Sequence, residues 1–263
     1  MRRYHVGGGA LVLLSALLIL SLCAVLPAGC TQEEVREENG ADRETLYQAS
    51  TLGALKDGVY DGDVSYTELG EHGDTGLGTF EALDGEMIAL DGTFYQIKTD
   101  GKAYVVDASA IAPFAMVTFF DADLAAQPGE GLDYEGLQAF IDGMLPSRNV
   151  FYAIEVTGRF ENVQARSVPA QEKPYPPLSD AIAEQTVFEL ENVEGTMVGF
   201  WCPAYVGDIN APGYHLHFIT ADRSAGGHVL DLRLGEVTVS IDETPGFLMQ
   251  LPGTGEFLEA ELE

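Results

Sequence analysis

Apolar and polar residues alternate with period two through much of this chain, while helical spacing is confined to short stretches, which predicts sheets with few helices. Met87–Leu90 and Thr93–Ile97 flank Asp91-Gly92, the dipeptide of a two-residue type I′ turn, so a tight hairpin is expected there. Asp100-Gly101 repeats the device before Lys102–Val106. Over Tyr134–Met144 the residues Leu137, Phe140, Ile141 and Met144 fall on one helical face. Asn149–Phe160 alternates as a strand. Pro169–Pro177 then breaks the pattern and is expected to cross between two halves of the fold. A short helix near Leu178–Gln185 follows, with strands over Thr196–Trp201, Tyr214–Thr220 and Glu236–Ile241. The expected class is α/β in the α+β sense: mixed or antiparallel sheet halves, 46–165 and 166–263, with short helices.

The first thirty residues stand outside that pattern. Arg2 and Arg3 precede the uncharged run Ala10–Leu26, and Pro27-Ala28-Gly29-Cys30 brings small residues ahead of a cysteine. This is the layout of a secretory signal over 1–29. It also resembles a lipoprotein leader, in which Cys30 becomes the lipidated first residue. Export is therefore expected, with the domain extracellular or held by a lipid anchor on the outer face of the cytoplasmic membrane. Residues 30–45 are polar and charged, too poor in large apolar groups to offset their own ordering entropy, and read as a flexible acidic tether.

Composition narrows the partners. The formal net charge is −29 and becomes more negative once Arg2 and Arg3 are removed, so nucleic acid, whose phosphates must be neutralised, is excluded. A small anion needs a local cation to hold it. Cys23 and Cys30 belong to the leader, which leaves Cys202 alone in an apolar setting and rules out a disulfide framework.

Candidate chemistry concentrates late in the chain. Three of the four histidines outside the leader, His215, His217 and His228, fall within fourteen residues. Side chains alternate across a strand, so His-x-His places both rings on one face. A hairpin folded about residues 222–223 brings His228 opposite His217. Three imidazoles directed at one ion leave an open position for chemistry on zinc, although copper, nickel or iron would suit the same donors. The cupin pattern is not followed, because no carboxylate occurs between His217 and Asp222. Upstream, Gly70–Phe80 carries four glycines among small polar residues, as in a loop held close to something, and Glu86 opens a predicted strand.

These segments together resemble the α-acetolactate decarboxylase family. The likeness is carried by Leu52–Asp63, His72-Gly-Asp-Thr-Gly-Leu-Gly-Thr-Phe80, Leu83-Asp-Gly-Glu86, Arg166-Ser-Val-Pro169, Glu191–Trp201, Pro212–Phe218 and Gly226–Asp231. The resemblance implies two related halves sharing sheet structure, a homodimer, and Zn2+ on His215, His217 and His228 on a hairpin of the C-terminal half. It further implies Glu86 and Arg166 as catalytic groups facing the metal, with Thr79 and Arg166 binding substrate. A glutamate from the C-terminal tail is also implied, for which Glu256, Glu259, Glu261 and Glu263 are all candidates. The implied reaction turns 2-acetolactate into acetoin and CO2 by zinc-assisted decarboxylation and reprotonation of an enediolate. Two other readings stay open: a non-catalytic exported zinc-binding lipoprotein, and another metal-dependent lyase or isomerase of hydroxy-keto acids.

Overall fold

The structure is a computed structural model that describes residues 43–253 and 255–262. The leader, Cys30 and the tether as far as residue 42 lie outside the described residues. Arg43 and Glu44 form a turn, and Thr45 already begins the first strand. The chain runs through β1 (Thr45–Ala49), α1 (Leu52–Lys56), β2 (Val64–Ser65), α2 (Tyr66–His72), β3 (Thr75–Thr79), β4 (Glu86–Leu90) and β5 (Thr93–Ile97). It continues with β6 (Ala103–Val105), β7 (Ile111–Ala112), β8 (Ala115–Thr118), β9 (Leu124–Ala126) and α3 (Tyr134–Met144). Next come β10 (Phe151–Ser167), α4 (Leu178–Ala183), β11 (Thr186–Cys202), β12 (Gly213–Thr220), β13 (Gly226–Thr244), β14 (Gly246–Gln250) and α5 (Gly255–Glu259). No helix among the described residues is long and apolar enough to cross a membrane.

Two sheets carry the fold. The first has the order β14-β1-β8-β3-β4-β5-β6 and is antiparallel except where β1 and β14 run parallel. In the second, β10, β11, β12 and β13 pair in sequence, and β10 also pairs with β13. Those four strands therefore close on themselves as a small barrel, with β9 alongside β13. Inside it Phe160 and Phe218 meet edge to face at 5.1 Å, and α3 buries Leu137 and Ile141 against the same core. Burial of such side chains contributes about 1.5–3 kcal/mol each.

Two further apolar clusters join the sheets. Leu77, Phe114 and Met116 of the first pack with Phe151, Phe200 and Cys202 of the second. Ile88, Leu90 and Ile97 pack with Val198 and Ile219. This seam between the sheets is where the candidate site lies.

Several expectations change at this level. The helix over 134–144 and the hairpin at Asp91-Gly92 form as expected, with both turn residues at positive φ (52° and 71°) as a type I′ turn requires. Strands β10, β11 and β13 are far longer than their apolar runs, because segments such as Glu161–Arg166 and Thr186–Glu194 turn only a few apolar side chains (Val163, Ala165, Leu190 and Val193) to the barrel core and are otherwise held by strand pairing. Pro169–Pro177 does not cross between sheets. It links β10 to α4 and then to β11, β10's neighbour in the barrel, and is fastened to the loop after α1, with Tyr60 Oη donating to the Pro176 carbonyl at 2.9 Å. The crossings are at 119–123, between β8 and β9, and at Pro245, between β13 and β14. Each sheet thus draws strands from both sides of position 165, which itself falls within β10.

Candidate metal centre

The histidine hairpin is built by its own turn. Asp222 Oδ1 accepts from Thr220 Oγ1 at 2.7 Å and from the Ser224 amide at 3.1 Å, while Arg223 adopts φ 59°. The resulting register pairs His217 with His228, folding about residues 222–223 as the spacing predicts. After three pairs β13 leaves β12 and pairs with β10, where His228 stands opposite Arg166. That switch depends on Gly227. Its φ is 149°, and a Cβ there would come within 2.5 Å of the Arg166 carbonyl. Gly199 has the same duty on the other flank, where a Cβ would lie 2.0 Å from the His215 carbonyl.

The three rings converge. His228 Nδ1 is 3.2 Å from both His215 Nε2 and His217 Nε2, and the three nitrogens all lie within 4.8 Å of one another. Burial holds all three pKa values down, His215 to about 4, so the rings are neutral at ordinary pH. A single ring hydrogen on His228 satisfies one neighbour and leaves the other lone pair facing it. A cation would accept all three lone pairs, and ligand nitrogens on a tetrahedral zinc ion stand about 3.3 Å apart. The orientation is fixed from behind: His217 Nδ1 lies 2.8 Å from the Met87 carbonyl, so it carries the proton and Nε2 faces the centre. The donor set fits a metal.

The first sheet supplies the opposite wall. Glu86, buried at the start of β4, accepts from Arg166 Nη1 at 3.0 Å and places its other oxygen 3.6 Å from His217 Nε2. Burial raises the carboxyl pKa, opposed by the Arg166 charge. Thr79 pairs with Glu86 across β3 and β4, and its hydroxyl donates to the Gly85 carbonyl at 2.8 Å. Its oxygen is left as an acceptor.

These groups line a cavity of about 210 Å³. Its remaining walls are mainly apolar: Leu52 and Leu55 from α1, Leu178 and Ile182 from α4, and Leu83, Phe114 and Val168. One guanidinium, one carboxyl and three imidazoles thus face a space that otherwise repels water.

Thr79, Glu86, Arg166, His215, His217 and His228 all line this one cavity. His72 does not, being stacked on Tyr47 with ring centres 4.0 Å apart. Nor does the tail bring a carboxylate here. Glu256 pairs with Lys173 at 2.7 Å, Glu259 and Glu261 do not line the cavity, and Glu263 lies outside the described residues. The α1 and α4 walls and the Met87 carbonyl had no sequence signal beyond apolar composition.

Comparison with known proteins agrees with this geometry. The sequence profile of the alpha-acetolactate decarboxylase family matches residues 46–263. The alpha-acetolactate decarboxylase of Methanosarcina mazei is 55% identical over 219 residues, covering 83% of this chain and 76% of that one. That of Methylococcus capsulatus is 50% identical over 223 residues, covering 85% and 86%. The crystal structure of alpha-acetolactate decarboxylase from Bacillus subtilis strain 168 superposes with a TM-score of 0.82 at 45% identity, covering 83% of this chain and 94% of that one.

Proposed function

Given that this chain belongs to the α-acetolactate decarboxylase family and is a carboxy-lyase, we propose how its cavity turns 2-acetolactate into acetoin and CO2. The substrate is a β-keto acid with a tertiary hydroxyl. Its carboxylate matches the planar fork of Arg166, the one Lys or Arg among the described residues that line the cavity. His215, His217 and His228 would hold a zinc ion, whose Lewis acidity favours the negative charge that develops as CO2 leaves. As the bond to the carboxylate breaks, its electron pair passes towards the neighbouring ketone, leaving an enediolate. Thr79 Oγ accepts from the substrate hydroxyl, since its own hydrogen is committed to Gly85. Glu86 then delivers a proton to the carbon that carried the carboxylate, which gives acetoin, and is reprotonated from solvent. The apolar walls limit other proton sources.

The observation that carries this reading is the position of Glu86, a buried carboxyl of raised pKa between Arg166 and the imidazole cluster. A passive metal site has no use for it. Glu86→Gln is expected to retain stoichiometric metal and lose at least about 100-fold in turnover, in line with removal of a general acid. Wild-type turnover in that variant would remove Glu86 from the mechanism. The leader supports export with lipidation at Cys30, and the family resemblance supports a homodimer; both belong to the same proposal.

A further inference from the structure

Two consecutive residues shortly before Glu86 adopt a backbone conformation that L side chains rarely take. Ala82 and Leu83 both have φ 59°. The bend is enforced by two other segments of the chain. The Ala82 amide donates to the Tyr60 carbonyl at 3.0 Å, and the Ala82 carbonyl accepts from the Gln171 amide at 2.7 Å. The Gly85 amide donates to the Val168 carbonyl at 3.1 Å. Left-handed residues of this kind persist only where the surroundings over-determine them, and they collect at functional sites. Here the bend places one large apolar side chain. Leu83 is 4% exposed, belongs to the same apolar cluster as Leu55, Phe114 and Val168, and lines the cavity with all three.

Residues 80–86 thus bring an apolar side chain and the acid to one cavity, as Leu83 and Glu86. With Glu86 protonating the carbon that lost the carboxylate, that carbon and its alkyl substituent lie against this segment. We infer that Leu83 is a specificity-determining residue that limits the size of the alkyl substituent on the reacting carbon. This rests on the decarboxylase reading and goes beyond it. The outer walls are softer. Leu52, Leu178 and Ile182 are half-buried and ride on the short helices α1 and α4, where side chains have room to move aside. Leu83 is packed on a backbone fixed on both sides, so a larger substituent cannot displace it.

The test compares kcat/KM for 2-acetolactate with that for its homologue bearing propyl in place of the methyl on the reacting carbon, using the metal-loaded chain. The propyl-to-methyl ratio is expected to rise about tenfold or more in Leu83→Ala, the scale of one or two methylenes in a hydrophobic pocket. Leu83→Gly should raise it at least as far, and because glycine takes φ 59° without strain it keeps the bend should the alanine chain fail to fold. Ile182→Ala should leave the ratio nearly unchanged. In parallel, calorimetry with the unreactive acids 2-hydroxy-2-methylpropanoate and 2-hydroxy-2-methylpentanoate should show the same shift in relative affinity. An unmoved ratio in a folded Leu83 variant overturns the inference, including the equal loss on both substrates that marks a purely structural residue. A rise as large in Ile182→Ala overturns it too. If the wild type decarboxylates neither substrate, the decarboxylase reading fails and the calorimetric ratio alone decides.

Discussion

Whereas His215, His217 and His228 ride on one hairpin of contiguous chain, Glu86 and Arg166 meet across eighty residues and belong to different sheets. The hairpin needs its own turn and the two neighbouring strands for its register. The acid side exists because β4 is pressed against β11 and β12 by an apolar cluster of Ile88, Leu90, Ile97, Val198 and Ile219. One strand also ties the two together: β4 carries Glu86 and, one residue on, the carbonyl that orients His217. Metal binding should therefore be separable from proton delivery, while the geometry of both depends on the seam.

The largest effect expected is loss of the metal. His217→Ala removes one of the three proposed ligands and strands the Met87 carbonyl, so bound metal should fall below stoichiometric and turnover by about 1000-fold or more. Chelation of the wild type should do the same reversibly, with activity restored by added zinc. Retention of activity by metal-free protein would end the metal-dependent reading. The Glu86–Arg166 pair should survive in either case, leaving the thermal midpoint lower by a modest amount, since one buried acceptor costs about 1–3 kcal/mol.

Arg166→Met is the converse experiment. It leaves three imidazoles in place and abandons a buried carboxyl whose partner side chain is 12% exposed and whose own is 9% exposed. Breaking such a pair costs about 3–5 kcal/mol when the remaining group stays charged, and less when it takes up a proton, as Glu86 is already inclined to do. Turnover should drop about 100-fold through lost carboxylate binding, with zinc still stoichiometric. Loss of zinc as well would mean that the hairpin and the seam are one unit, and the distinction drawn above would collapse.

The same distinction explains what sequence reading reached. The histidine site was legible because its spacing is local: His-x-His, a polar turn and a third histidine determine a register by alternation alone. Strand and helix periodicity also delivered α3 and the β4–β5 hairpin. The Glu86–Arg166 contact was not readable from periodicity, because nothing in either segment says that β4 faces β10; only the resemblance to a family paired them. The parallel docking of β14 on β1, which closes the first sheet with the end of the described chain, left no local signal either. Thr186–Glu194 offers only a brief alternation, Phe188-Glu-Leu190-Glu, before Asn192 at positive φ interrupts it, too little for periodicity to mark a strand.

The seam can also be probed away from the cavity. Asp242, on β13 and 1% exposed, accepts from the Asp121 amide at 3.2 Å where the chain crosses between sheets. Burial raises its pKa from 3.8 to about 7, with the carboxylates of Asp123, Glu44 and Asp121 adding to the shift. Between those two values the native state holds a proton that the unfolded chain releases, so stability declines as pH rises through the window and stays lower above it. Asp242→Asn keeps the acceptor and discards the charge. It should match the wild type near pH 4 and exceed it near pH 8 by about 1–2 kcal/mol, after allowance for solvent screening. Urea unfolding at both values checks this, and a gap that does not grow with pH contradicts it. Zinc content should be unaffected.

The smallest effect, and the one that locates the join between the two sides most finely, is expected at Thr79. Its hydroxyl holds the Gly85 carbonyl at 2.8 Å, and its backbone pairs with Glu86, so it sets where β4 begins and hence where the acid points. Thr79→Val preserves shape and strand preference while deleting that bond, at a cost of about 1 kcal/mol. Turnover should fall several-fold, because the hydroxyl is also the proposed acceptor for the substrate. Thr79→Ser restores both functions and should recover most of the rate. A valine variant less stable by that amount but unchanged in KM and turnover would make Thr79 a support for the β4 turn alone. Glu86 would then be aimed by its own strand and by Arg166, without help from the residue across the ladder.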